Sequence, residues 1–349
     1  MINVDKVLQI IRFSFSGISG DQWRKHILLF ALTGFSTFLT GLEMAGNTVG
    51  VQKILLGLSY SLPVMLILTG HELGHYIVAR MYGVNVSLPY FIPLPILSPF
   101  GTMGAFIRMR GLPMDKRSLF DVAFWGPAMS FMLSIPFAIA GILLSEVKPI
   151  PPDFGGMYFG DSIFFKWLIS LFHQIPPGHD LFIHPMAFAA WVGFFITAIN
   201  LFPIGQLDGG HIAYAMFGRN QKWIAMVFLG FLVLLTFFHF GWFIWLVLLY
   251  FMGIFHPPVQ SGAFDLLDHK RMRLGYASLV VLVLCFIPIP IEFKEARDFI
   301  PERQQESVPL PYNDEYNVYL DQPESWLPKM IGSTSCHSFI EKSTWKLST

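Results

Sequence analysis

Two histidines four residues apart, with a glutamate after the first, open the chemical reading: His71-Glu72-Leu73-Gly74-His75. On a helix, positions i and i+4 share a face, so both imidazoles can reach one metal ion at about 2.0–2.1 Å. Glu72 is turned by roughly 100° from His71. It is poorly placed as a third ligand and well placed to take a proton from a water at the ion, as in the zincin pattern. The pattern follows seventeen uncharged residues, Ile54 to Gly70. Ionisable groups inside an apolar span are costly and are functional candidates by default.

A catalytic zinc takes three protein ligands and keeps one open position. The run Asn200-Leu201-Phe202-Pro203-Ile204-Gly205-Gln206-Leu207-Asp208-Gly209-Gly210 offers a lone carboxylate at the end of another uncharged stretch. Pro203 and Gly205 break a helix there and can admit water. Taken alone, Asp208 reads better as the cap of a helix over His211–Phe217 than as a ligand. Paired with the histidines at membrane depth, it reads as the third ligand.

The elements that must position these groups are membrane spans. Hydrophobic residues make up 54% of the 349 and charged residues 13%, which excludes an ordinary soluble enzyme. The net charge is zero, and nothing suggests a nucleic-acid partner. Cys285 and Cys336 lie too far apart for a CxxC site. A crossing needs about 20 apolar residues. The candidate runs are Ile27–Leu42, Ile54–Ala79, Val122–Leu144, Pro185–Pro203, Trp223–Phe238, Gly241–Phe255 and Leu274–Pro290. Only His239 and Phe240 separate the fifth run from the sixth, so these are either a helical hairpin or one kinked element. The basic loops around Arg108–Arg117, Arg219–Lys222 and Lys270–Arg273 alternate with poorly charged ones, so the N-terminus is expected to be cytoplasmic.

Residues Val84–Arg110 carry four prolines and do not read as a span; Thr102–Met109 alternates weakly, as an extended strand would. Residues 1–26 read as an amphipathic lead-in and 27–290 as the membrane-embedded domain. Residues 291–349, where acidic residues outnumber basic ones and no apolar period persists, read as a weakly ordered tail. The expected fold is an all-α polytopic membrane protein. It has about six or seven transmembrane helices and a short strand or re-entrant segment near the site.

Together, HELGH and N-x-x-P-x-x-x-L-D-G-G, each in an apolar run, resemble the site-2 protease family of intramembrane zinc metalloproteases, peptidase family M50. The resemblance covers roughly Ile54 to Gly210. It implies one zinc ion per chain on His71, His75 and Asp208, Glu72 as the catalytic glutamate, and Asn200 as a contact to the substrate backbone or oxyanion. It implies a transmembrane protein or peptide as substrate and the lipid bilayer as surroundings. Gly101–Phe106 resembles the family's strand near the active site, which pairs with extended substrate. Asp121–Pro127 resembles a family helix start, with Trp125 in place of the usual alanine. The asparagine familiar just after it is absent, Ser130 is nearby, and no role beyond packing is carried over.

Many bacterial relatives carry a PDZ domain between the catalytic halves, but Ser145–His184 is too short for one. The N-terminal residues do not resemble a transit segment, and a bacterial inner membrane is expected. His211 reads as a support near the metal rather than a ligand. A zinc transporter or channel would spread polar ligands along a path through several helices, whereas here they concentrate in two motifs. A non-catalytic scaffold would not need all of these residues, and the motifs of a CAAX-type protease are not found.

Overall fold

The structure is a computed structural model that describes residues 20–110, 115–150, 155–256, 266–295, 327–328 and 335–340. Most of the expected amphipathic lead-in lies outside the described residues. Nine α-helices are described: α1 Gly20–Met44, α2 Gly50–Met81, α3 Lys116–Leu143, α4 Ile163–Phe172, α5 Pro185–Asn200, α6 Asp208–Phe217, α7 Gln221–Phe238, α8 Gly241–Met252 and α9 His269–Cys285. The protein is a multi-pass membrane protein. Four stretches are long and apolar enough to cross a bilayer: Trp23–Met44, Gly50–Met81, Lys116–Leu143 and Asp208–Phe238.

About six or seven spans were expected from seven candidate runs, and four stretches are long enough while the remaining apolar helices are shorter. Helix α5 has 16 residues, α8 12 and α9 17, so these fall short of the four long helices. The fifth run joins the helix carrying Asp208 through a 3-10 turn at Gly218–Asn220. The fifth and sixth runs are two helices in contact, broken at His239–Phe240, rather than one kinked element.

Helix α5 sits at the centre. It is buried on all faces, from Pro185 through Ala198 and Ile199, as a helix that is apolar all round requires. Trp191 stacks on Phe188 and Phe195, and its indole N–H donates to the Gly160 carbonyl at 2.7 Å. Sixteen residues rise about 24 Å, less than the ~30 Å hydrocarbon core. The chain leaves α5 at Asn200 and turns toward the start of α6 at Asp208. Helix α2, with 32 residues, packs against α1, α3 and α5 and brings its HELGH segment to the same level.

The segment after α2 does not span, as its prolines required. It forms β1 Asn85–Val86, β2 Tyr90–Pro93, β3 Thr102–Phe106 and β4 Met109–Arg110, with β1 paired to β4 and β2 to β3, both antiparallel. The hairpin β2–β3 is tied to the helices by side chains. His26 donates to the Pro89 carbonyl at 2.9 Å, Ser36 to Gly101 at 2.5 Å and Tyr60 to Phe100 at 2.9 Å. These bonds satisfy main-chain groups that have no partner in lipid.

Helix α3 starts earlier than the Asp121–Pro127 motif suggested. Asp115 caps it by accepting from the Ser118 amide at 2.7 Å, so Pro127 lies inside the helix. Between α3 and α5, the interval forms β5 Glu146–Pro149, β6 Gly155–Gly160, α4 and β7 His179–Phe182. Strand β5 pairs with β7. Strand β6 pairs with β8 Ile291–Glu295 and with β10 Ser335–Ile340, which also pairs with β9 Leu327–Pro328.

At one end of the bundle, Arg271 in the first turn of α9 forks onto Asp121 of α3. Its Nε donates to Oδ1 at 2.8 Å and its Nη2 to Oδ2 at 2.5 Å. Tyr82, just past α2, donates to the same carboxylate at 2.5 Å, and Asp268 pairs with the guanidinium as well. A bidentate guanidinium–carboxylate pair fixes orientation as well as distance. It therefore locks three helices at the residue before Val122.

Candidate metal centre

His71 and His75 share one face of α2 and are buried. Their Nε2 atoms lie 3.0 Å apart. Asp208 Oδ2 lies 3.4 Å from the first and 3.2 Å from the second. A tetrahedral ion with ligands at about 2.0–2.1 Å sets those ligands roughly 3.3–3.4 Å from one another. The three atoms fit that triangle. Among the described residues this is the one group of three His, Cys, Asp or Glu side chains close enough to hold a metal.

Proton placement agrees with the distances. His75 Nδ1 lies 2.7 Å from the Val122 carbonyl, which only accepts, so Nδ1 carries the proton and Nε2 presents its lone pair. His71 Nδ1 lies 3.2 Å from Ser130 Oγ. Thr197 donates to the Gly193 carbonyl at 2.7 Å, so the Ser130 hydroxyl proton goes to Thr197 at 2.8 Å or to the Pro127 carbonyl at 3.1 Å. Ser130 is left accepting from His71. Both rings thus turn a lone pair toward the Asp208 carboxylate. Partners of this kind fix the tautomer and ring orientation of metal-binding histidines.

Asp208 does not cap its helix. It is the first residue of α6; Leu207 occupies the cap position, and no side chain caps this end. The carboxylate is free to meet the histidines. Glu72 is buried beside them and faces the Ile107 amide just beyond β3. All four residues line a cavity of about 180 Å³. Ala105, Phe106, Ile107 and Met109 form one wall, Leu119, Val122 and Ala123 of α3 another, and Asn200, Gln206, Leu207 and His211 the rest. Every site residue expected from the sequence is brought together here. His211 is not among the converging ligands; its Nδ1 bonds His256 Nε2 at 2.7 Å.

The sequence reading missed the support for the rings. Ser130, Thr197 and the Val122 carbonyl hold the imidazoles, and Gly126 makes room for them. A Cβ on Gly126 would lie 2.0 Å from His75 Nε2, and one on Gly74 would lie 2.5 Å from the Trp125 carbonyl. Small residues allow this close approach of α2 and α3. Gly126→Ala is therefore expected to displace the His75 ring and weaken zinc binding at least tenfold, the order that lost ligand support costs. Chelator competition on the purified protein measures it, and wild-type affinity would show that the ring gives way without cost.

The model of Peptidase family M50 matches residues 59–237. Among curated proteins, the chain is 29% identical over 228 residues to "Probable zinc metalloprotease EGY2, chloroplastic" of Oryza sativa subsp. indica, covering 64% of this chain and 41% of that protein. It is 29% identical over 248 residues to the Arabidopsis thaliana protein of the same description, covering 68% and 43%. To "Probable zinc metalloprotease EGY1, chloroplastic" of Arabidopsis thaliana it is 32% identical over 163 residues, covering 44% and 28%. The chain thus spans less than half the length of these relatives. No solved structure matches it at a significant level.

Proposed function

The chain belongs to peptidase family M50, and from that premise we propose that it is an intramembrane zinc endopeptidase acting on transmembrane or membrane-anchored proteins. The observation that carries the reading is the convergence of His71, His75 and Asp208 on one point, beside Glu72, in a cavity walled by a strand. One zinc ion held there supplies the Lewis acidity that polarises a peptide carbonyl and makes water a nucleophile near neutral pH. Glu72 accepts the proton of the attacking water and passes it to the leaving amine. Asn200, at the C-terminal end of α5, donates from its carboxamide to the substrate carbonyl or main chain. The strand β3 offers main-chain groups to an extended substrate.

A substrate helix hides its amides in its own hydrogen bonds and must unwind before attack. Each glycine in a helix costs about 1 kcal/mol relative to alanine. Two glycines placed at the scissile turn of a transmembrane peptide are therefore expected to raise kcat/KM by about five- to thirtyfold. The test is cleavage of such a peptide panel by the purified chain, with zinc removed by chelator and then restored. A panel cut at one rate regardless of helix strength, or cleavage that survives removal of the metal, refutes the reading.

The same reading includes six or seven crossings, with α5, α8 and α9 added to the four long stretches, and a cytoplasmic N-terminal side, from the distribution of lysine and arginine. A bacterial inner membrane is the location proposed. The relatives named above are chloroplastic by description, and fractionation of the source cells decides between the two. The permeation alternative is disfavoured by ligands gathered at one point, and metal flux in proteoliposomes would revive it.

A further inference from the structure

The loop that carries Asp208 brings one other polar residue, Gln206, to the cavity lining. Pro203, Ile204, Gly205 and Leu207 are all buried, and Gln206 alone among them is exposed, at the cavity wall. The backbone is held firmly around it. Gly205 has φ +56°, and a Cβ there would lie 1.9 Å from the Gly253 carbonyl. The Gly205 amide donates to the Ile254 carbonyl at 2.9 Å. The Gln206 carbonyl accepts from the His211 imidazole, which His256 holds from behind. A positive φ that only glycine adopts readily, a close backbone crossing and a buried histidine pair thus fix the main chain on both sides of a side chain that forms no hydrogen bond to the described residues.

We infer that Gln206 is a substrate-binding residue whose carboxamide hydrogen-bonds the main chain of a polypeptide lying extended in the cavity. This rests on the protease reading above and deepens it. A primary amide carries donors and an acceptor, and so matches the N–H and C=O of a peptide unit. The substrate class is therefore an unwound segment read through its backbone, one face toward the wall that continues from β3 and the other toward Gln206. Side chains of the segment meet apolar walls of Ala105, Ile107, Leu119 and Val122. Apolar residues around the cleavage point are accordingly preferred over charged ones.

The test uses the full chain with zinc and a transmembrane peptide series in which one peptide N–H near the cleavage point at a time is replaced by an ester oxygen. Gln206→Leu is expected to keep one zinc per chain and to lower kcat/KM about ten- to a hundredfold, the order of a lost buried hydrogen bond. At one position the ester should cost the wild type about tenfold and cost the variant nothing, because the bond is already absent. Gln206→Met provides the same comparison if leucine disturbs the loop. Wild-type kcat/KM in the variants, or equal losses at every ester position, overturns the assignment. A wild type that binds no zinc and cuts no peptide overturns the protease reading instead, and the substrate role falls with it.

Discussion

Replacing Glu72 with glutamine is expected to abolish cleavage while leaving zinc in place. The two side chains have nearly the same shape, so packing around α2 is preserved. Glu72 is not one of the three atoms that converge on the metal position, so the ion loses no ligand. Only the capacity to accept a proton is lost. General acid–base groups contribute about 10²- to 10⁴-fold. Since one carboxylate serves both proton transfers in the proposed mechanism, the upper end of that range is expected. Metal analysis and single-turnover cleavage on the same preparation provide both readouts. Turnover above about a tenth of wild type removes Glu72 from the base role on that scale. Loss of zinc makes it a ligand.

The second large effect is at Asp208. Asp208→Ala leaves two imidazoles facing each other, without the charge that balances the ion. Changes in groups that merely support ligands cost about 10- to 100-fold in affinity, so loss of a ligand should exceed a hundredfold. Cleavage should disappear with the metal. The rival role, a helix cap, carries a different signature: about 1 kcal/mol of stability and no change in zinc. Asp208 lies inside α6 and makes no capping bond, so the zinc effect is expected without a comparable loss in unfolding temperature. Full zinc retention in the variant would return Asp208 to structure and leave the centre with two ligands.

Much of this site was legible because its residues are of rare type for their surroundings. Histidines, a glutamate and an aspartate in apolar runs stand out by cost alone. Prolines marked the segment after α2 as irregular, and there the chain forms the β2–β3 hairpin. What the sequence did not reveal was of another kind. Val122 contributes a carbonyl, which every residue has, so no side-chain pattern points to it. Ser130 and Thr197 are common in membrane helices, and they meet only because α3 and α5 pack together. Asp121 and Arg271 are 150 residues apart in the chain. Of the six or seven expected spans, four stretches are long and apolar enough to cross, and composition does not separate the shorter helices from them. Apolar runs mark burial, and a short helix such as α5, surrounded by protein, is as apolar as one that faces lipid.

On the protease reading, the separation of the two halves of the metal centre also dictates when the protein becomes active during its own synthesis. His71 and His75 are made early, while Asp208 follows 208 − 75 = 133 residues later. At about 5–20 residues per second, the ribosome needs roughly 7 to 27 s to cover that distance. Throughout that interval the nascent chain exposes a base and two imidazoles without the carboxylate that completes the donor set. The fork of Arg271 onto Asp121, which steadies the start of α3 beside His75, arrives later still. On the protease reading, a partly inserted chain is therefore expected to be inert toward neighbouring membrane proteins and toward itself, because the donor set is complete only after the helices from α1 to α6 have assembled.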